Sequence, residues 1–217
     1  MIARRMSATN VLIAMNVVVY LWEVLSGTNF NSNYSLLAHG ALYAPLVRQG
    51  QWWRIFSGAF EHAGLWHIAL NMFALYQLGT FVEAVLGSRR MLAVYLISLI
   101  GGGLAVVAFS SNDVTVGASG AIFGLFGALL AIGVRLGKRG RGLIAQTLPI
   151  LAINLVFTFA VPFISKSGHV GGLVAGFCAG LVLFMLRVPV SSPLVPVVDT
   201  VTGESAEAEL LPPEGRR

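Results

Sequence analysis

Residues 91–109 read MLAVYLISLIGGGLAVVAF, an unbroken run without a charged side chain. A membrane-spanning helix needs about 20 mainly apolar residues, and this stretch has that length. Windows of similar character recur at 10–26, 64–84, 117–134, 143–161 and 168–186, so the 217-residue chain carries six candidate spans. The composition agrees: 56% of positions are hydrophobic and 11% charged, with a mean hydropathy of +0.80. That is more apolar surface than one soluble core can hide. Disorder, low complexity and collagen are excluded on the same figures. The expected fold class is all-α, a polytopic membrane protein built as a six-helix transmembrane bundle.

A net charge of +5 would suggest nucleic acid in a soluble protein, so the placement of the basic residues decides its meaning. With the amino terminus set in the cytoplasm, the inner segments hold Arg4, Arg5, Arg89, Arg90, Arg135, Lys138, Arg139, Arg141 and Arg187. The outer segments hold Arg48, Arg54 and Lys166. This asymmetry is the one expected of six spans with both termini cytoplasmic, as in a multi-pass protein of the plasma membrane. The basic residues therefore report topology, and no nucleic-acid partner is expected. Arg4 and Arg5 ahead of an apolar run resemble a signal peptide, but no small-residue cleavage site follows Leu21, so an uncleaved first helix is expected. The lone cysteine, Cys178, permits no intramolecular disulfide and belongs to no CxxC motif.

The organisation that follows is a cytoplasmic segment at 1–9, a membrane domain at 10–187 and a flexible, acidic, proline-containing cytoplasmic tail at 188–217. The connection at 27–63 is a long external loop, and long loops in compact domains are usually functional. Within it, Trp52, Trp53 and Phe56 lie among Arg48 and Arg54, a composition suited to the headgroup layer.

Polar groups inside an apolar chain need reasons. Gly117-Ala118-Ser119-Gly120 opens the fourth span and puts a serine near the outer face. The helix's first turn there offers unpaired N–H groups where negative charge could develop. Read alone, this motif favours packing over catalysis, because Gly120 and Gly124 also form an ordinary helix-contact pattern. His169 opens the sixth span, with Gly172, Gly176 and Gly180 on one helical face beyond it. That stripe lets a neighbouring helix approach until the imidazole can reach a group at the depth of Ser119, although a helix cap explains a lone histidine equally well. The third feature is His62-Ala63-Gly64-Leu65-Trp66-His67-Ile68-Ala69-Leu70-Asn71. His67 and Asn71 share a face one turn apart and could donate to an oxyanion or act as interhelical glue. His62 and His67 are five apart, about 140° around a helix, which disfavours a shared metal.

Together, Trp53-Arg54 in the first loop, the HxxxxHxxxN run at 62–71, GASG at 117–120 and His169-Val170-Gly171-Gly172 resemble the rhomboid family of intramembrane serine proteases. The resemblance covers roughly residues 10–187. It implies a rhomboid-like bundle in which Ser119 is the nucleophile, His169 its base, and His67 and Asn71 oxyanion-hole donors. Gly168 stands where many members have alanine, and Phe123 where some have a tyrosine stacked on the histidine. The implied substrates are single-pass membrane proteins cut near the outer face, often after a small residue, and no cofactor or metal is implied.

No acid has the spacing to orient His169, so a Ser-His dyad is expected. Glu61 reads as a solvated loop residue and Glu83 as a structural pairing at the cytoplasmic end of the second span. The rivals are an inactive rhomboid-like binder of membrane proteins and a small transporter. An aspartyl intramembrane protease is rejected, because Glu23 and Glu83 form no motif. Oligomeric state is not legible.

Overall fold

The computed structural model describes residues 7–110 and 112–185. Most of the N-terminal segment at 1–9 and the tail at 188–217 therefore lie outside the described residues. All six expected spans are helical: α1 (Ala8–Leu25), α5 (Leu65–Leu86), α6 (Ser88–Phe109), α7 (Ser119–Arg135), α8 (Arg141–Ala160) and α9 (Lys166–Met185). Between α1 and α5 the chain forms α2 (Asn33–His39), β1 (Leu42–Tyr43), α3 (Ala44–Arg48) and α4 (Arg54–Ser57); β2 (Val114–Thr115) precedes α7. Five of the long helices have the length and hydropathy to cross a membrane. They present apolar side chains such as Val18, Leu70, Phe73, Val156 and Phe157 outward, where lipid tails replace a protein core.

The sixth, α7, is different. It has only 17 residues, and most of its side chains from Ala121 to Gly133 are buried in protein. Its glycines explain how it can be so enclosed. A methyl group built on Gly172 or Gly176 of α9 would overlap the backbone carbonyls of Gly120 and Gly124 on α7. One built on Gly180 would sit 2.8 Å from the Cα of Ala128. The helix backbones therefore touch along the whole stripe, the close approach that small residues allow in membranes. On its other flank, α9 meets α6 in the same way: a Cβ at Gly102 would lie 2.8 Å from the carbonyl of Gly168.

At the opposite end of the bundle, Glu83 near the end of α5 holds the start of α1. Its carboxylate accepts from the N–H groups of Ala8 (2.8 Å) and Thr9 (3.0 Å), and from the hydroxyls of Thr9 (2.6 Å) and Ser88 (2.6 Å). An anion at a helix N-terminus satisfies donors that have no intrahelical partner. The structural pairing expected of Glu83 is thus a cap on another helix.

The first loop is folded, and two of its residues differ from expectation. Trp52 and Trp53 are exposed, as a headgroup-facing surface requires, but Arg54 is only 8% exposed. Its guanidinium donates to the carbonyls of Leu37 (3.0 Å) and Ala41 (2.9 Å) and to Gln51 Oε1 (2.6 Å), stapling the loop to itself. Glu61, expected to be solvated, is 2% exposed. It fits because Gly40 (φ +125°) has no side chain; a Cβ there would lie 2.8 Å from Glu61 Oε1. Burial and the neighbouring Glu23 carboxyl push Glu61 up to about 8, while Arg54 pulls the other way. The loop is joined to the α6–α7 connection by β1 and β2, which pair antiparallel with Leu42 opposite Thr115 and Tyr43 opposite Val114.

Gly176→Ala meets backbone across the interface and should cost about 1–3 kcal/mol. Gly142→Ala, at an open position in the first turn of α8, should be neutral or stabilising by up to about 1 kcal/mol. Unfolding in detergent checks the contrast, and equal effects would contradict the backbone contact. Glu61 keeps its proton to about pH 8 when folded and loses it near 4.5 when free, so its contribution to stability is complete below about 4.5 and is lost as pH rises through 8. The Tm of the wild type should therefore fall between pH 5 and 8 more steeply than that of Glu61→Gln; identical slopes would place Glu61 in solvent.

Candidate active site

The start of α7 is shaped by Gly117, whose φ of +113° belongs to the region that glycine tolerates and side chains avoid. Its N–H donates to the carbonyl of Gly58 (2.8 Å), so the first loop holds the turn that leads into the helix. Helix α7 then begins at Ser119 with no side-chain cap. The N–H groups of its first turn have no intrahelical acceptors, and the positive end of the helix dipole lies there.

Ser119 and His169 are 50 positions apart in the chain, yet Ser119 Oγ lies 2.7 Å from His169 Nε2. The glycine contact between α7 and α9 produces this proximity: at the level of Ser119, the backbone of Gly120 faces the carbonyl of Gly168. The imidazole is nearly buried, at 7% exposure. The ring of Phe123, one turn beyond the serine, lies parallel to it with centroids 4.1 Å apart and an interplanar angle of 18°. An aromatic ring therefore fills the stacking position expected of residue 123 without a phenolic hydroxyl. On the other nitrogen, His169 Nδ1 lies 2.8 Å from Thr158 Oγ1 of α8, a residue 1% exposed.

Sequence reasoning missed Thr158. The signal available was Asn154 and Thr158, two polar side chains one turn apart in an apolar span. It was weak because threonine commonly bonds its own helix backbone, as Thr158 also does, donating to the carbonyl of Asn154 at 2.8 Å.

The second-span residues approach from the other side. The His67 ring packs on Gly117, where a Cβ would lie 2.8 Å from Cε1 and 2.9 Å from Nε2. Its Nδ1 accepts from the N–H of Ala63 at 3.2 Å. In the neutral ring the proton must then be on Nε2, the nitrogen beside Gly117, which makes that nitrogen a donor. Behind it, His62 meets His67 edge to face, with centroids 5.2 Å apart. Burial and the nearby His67 push His62 down to about 3, so His62 is a neutral support at any physiological pH. Asn71 Nδ2 donates to the His67 carbonyl at 2.8 Å, while its Oδ1 is buried without a partner. The structure thus joins Ser119 to His169 directly and seats His67 beside them. Asn71 stands one turn deeper, without a hydrogen bond to either.

Beside the serine is a small cavity of about 40 Å³, bounded by Gly102, Gly117, Gly120, Gly168, Ser165 and His169 among others. A hydroxyl on an imidazole and uncapped N–H groups beside one small cavity, with a second imidazole packed on the Gly117 that borders it, can support acyl transfer.

Comparison with known proteins identifies the family. A family model described as the Rhomboid domain matches residues 49–186. Among curated relatives, the rhomboid protease GluP of Bacillus subtilis (strain 168) is 40% identical over 176 residues, covering 81% of this chain and 34% of that protein. RHOMBOID-like protein 6, mitochondrial, of Arabidopsis thaliana is 35% identical over 158 residues, 71% of this chain and 51% of that protein. Rhomboid-like protease 1 of Toxoplasma gondii is 36% identical over 154 residues, 68% of this chain and 53% of that protein. The chain therefore spans between a third and about half the length of these relatives. A family match over more than half its length, with apolar helices long enough to cross a membrane, establishes that the chain belongs to the rhomboid family.

Proposed function

We propose that this chain is an intramembrane serine endopeptidase in which Ser119 is the nucleophile and His169 the general base. The observation that carries the reading is the 2.7 Å contact between Ser119 Oγ and His169 Nε2, which is hydrogen-bond distance for transfer of the hydroxyl proton. As Oγ bonds the substrate carbonyl carbon, that proton passes to Nε2 and the carbonyl oxygen becomes an oxyanion. Its donors are the first-turn N–H groups of α7 and His67 Nε2–H, with Asn71 completing or supporting the set. Collapse breaks the C–N bond, and Nε2 returns the proton to the leaving amine. Water then repeats the sequence on the ester, releasing the acid and restoring the serine.

The length of α7 supports cleavage below the membrane surface. Its 17 residues span roughly 25 Å against a hydrocarbon thickness of about 30 Å, so a helix centred in the bilayer starts beneath the interface. The distribution of basic residues favours an arrangement with both termini cytoplasmic and this end outward, in a plasma membrane. Substrates are single-pass membrane proteins entering with an extended segment, because a helical peptide bond is closed off by its own hydrogen bonds. The cavity of about 40 Å³ with glycine walls suits a small side chain at the cut site.

The test is cleavage of a model single-pass substrate by the purified protein. Ser119→Ala and His169→Ala should each abolish cutting while Tm stays near that of the wild type. Full activity of folded Ser119→Ala would remove the assignment. Asn71→Ala should slow turnover by roughly ten- to a thousandfold, the range for a lost oxyanion donor; an unchanged rate would confine Asn71 to holding the His67 carbonyl.

A further inference from the structure

The hydroxyl of Thr158 has one proton, and its geometry decides where that proton goes. Thr158 Oγ1 lies 2.8 Å from the carbonyl oxygen of Asn154, which can only accept, so the hydroxyl donates there. Toward His169 Nδ1, also at 2.8 Å, the same oxygen is left with lone pairs only. Nδ1 must therefore carry the proton of the neutral imidazole. The other nitrogen, Nε2, is then a bare acceptor facing the Ser119 hydroxyl at 2.7 Å. The four groups form one directed chain, in which Ser119 donates to His169, His169 to Thr158 and Thr158 to the α8 backbone.

From this we infer that Thr158 is a positioning residue that holds His169 in the tautomer able to take a proton from Ser119. The inference rests on the proposed roles of Ser119 and His169. In soluble serine proteases a buried aspartate fixes the tautomer and steadies the imidazolium. Here the position beyond Nδ1 lies between two helices, where an isolated carboxylate would be costly to bury. A threonine whose own proton is committed to a peptide carbonyl gives the same acceptor without a charge, and successive bonds in such a chain polarise one another. The opposite tautomer would point Nε2–H at Ser119, abolish the base, and require Thr158 to release Asn154. Because Thr158 is on α8 while His169 is on α9 and Ser119 on α7, the base is oriented by a third helix.

The experiment uses the full chain labelled with ¹⁵N-histidine. The signals of His39, His62, His67 and His169 are separated by loss of one set in His169→Ala. In the wild type and in Thr158→Ser, His169 is expected to show a protonated Nδ1 and an unprotonated Nε2. Thr158→Val, which keeps the shape and removes the hydroxyl, should mix the tautomers. It should also lower kcat about 10- to 100-fold, the size of loss seen when the outer partner of a metal-bound histidine is removed, with KM unchanged and Thr158→Ser restoring most of the rate. A wild-type His169 protonated on Nε2 overturns the inference, and that measurement stands even where Thr158→Val fails to fold. Full kcat in folded Thr158→Val overturns it too. Cleavage by Ser119→Ala would instead remove the functional reading, whereas inactive Ser119→Ala beside fully active Thr158→Val removes only the role of Thr158.

Discussion

Backbone contact between α7 and α9 is the constraint on which everything else in this protein depends. Side chains normally hold helix axes 8–10 Å apart. Gly172 and Gly176 remove them on one side, and Gly120 and Gly124 on the other, so the helices meet carbonyl against Cα. In lipid, apolar side chains gain little from leaving the solvent, so packing and interhelical hydrogen bonds supply the association energy. A short serine side chain at the top of one helix then reaches an imidazole at the top of the other. Widening that contact by one methyl group would draw the pair out of hydrogen-bond reach.

The two reacting side chains are held by neutral partners, without ions. His169 is bonded at both nitrogens, by Ser119 and Thr158, and is covered on one face by Phe123. His67 receives an N–H at one nitrogen and turns the other toward Gly117. No described carboxylate takes part, which matches the cost of a charge in a region where little water can solvate it. The acidic side chains serve elsewhere: Glu83 caps α1, and Glu61 is buried in the folded first loop. That loop is not merely a cover, because the Gly117–Gly58 bond and the β1–β2 pairing tie it to the turn that presents Ser119.

The six helices were legible in the sequence because a span writes itself as about 20 apolar residues, a signal that no tertiary contact can obscure. The glycine offsets after His169 announced a close-packed face for a similar reason: few other demands place three glycines on one helix side. Arg54 and Glu61 were misjudged because charge alone suggests solvent. Their burial depends on the carbonyls of Leu37 and Ala41 and on the missing side chain of Gly40, which meet them only in three dimensions. Thr158 escaped notice because it is attached to a helix that the family motifs do not mark. Its function lies in a contact across helices, where sequence spacing carries no information.

The central claim is that His169 activates the hydroxyl of Ser119, and covalent capture tests it most directly. Treating the membrane-embedded protein with a fluorophosphonate and locating the adduct by mass spectrometry should give a single modified residue, Ser119, with labelling lost in His169→Ala. Labelling that persists undiminished in His169→Ala, or an adduct on another serine with Ser119 untouched, would contradict the account.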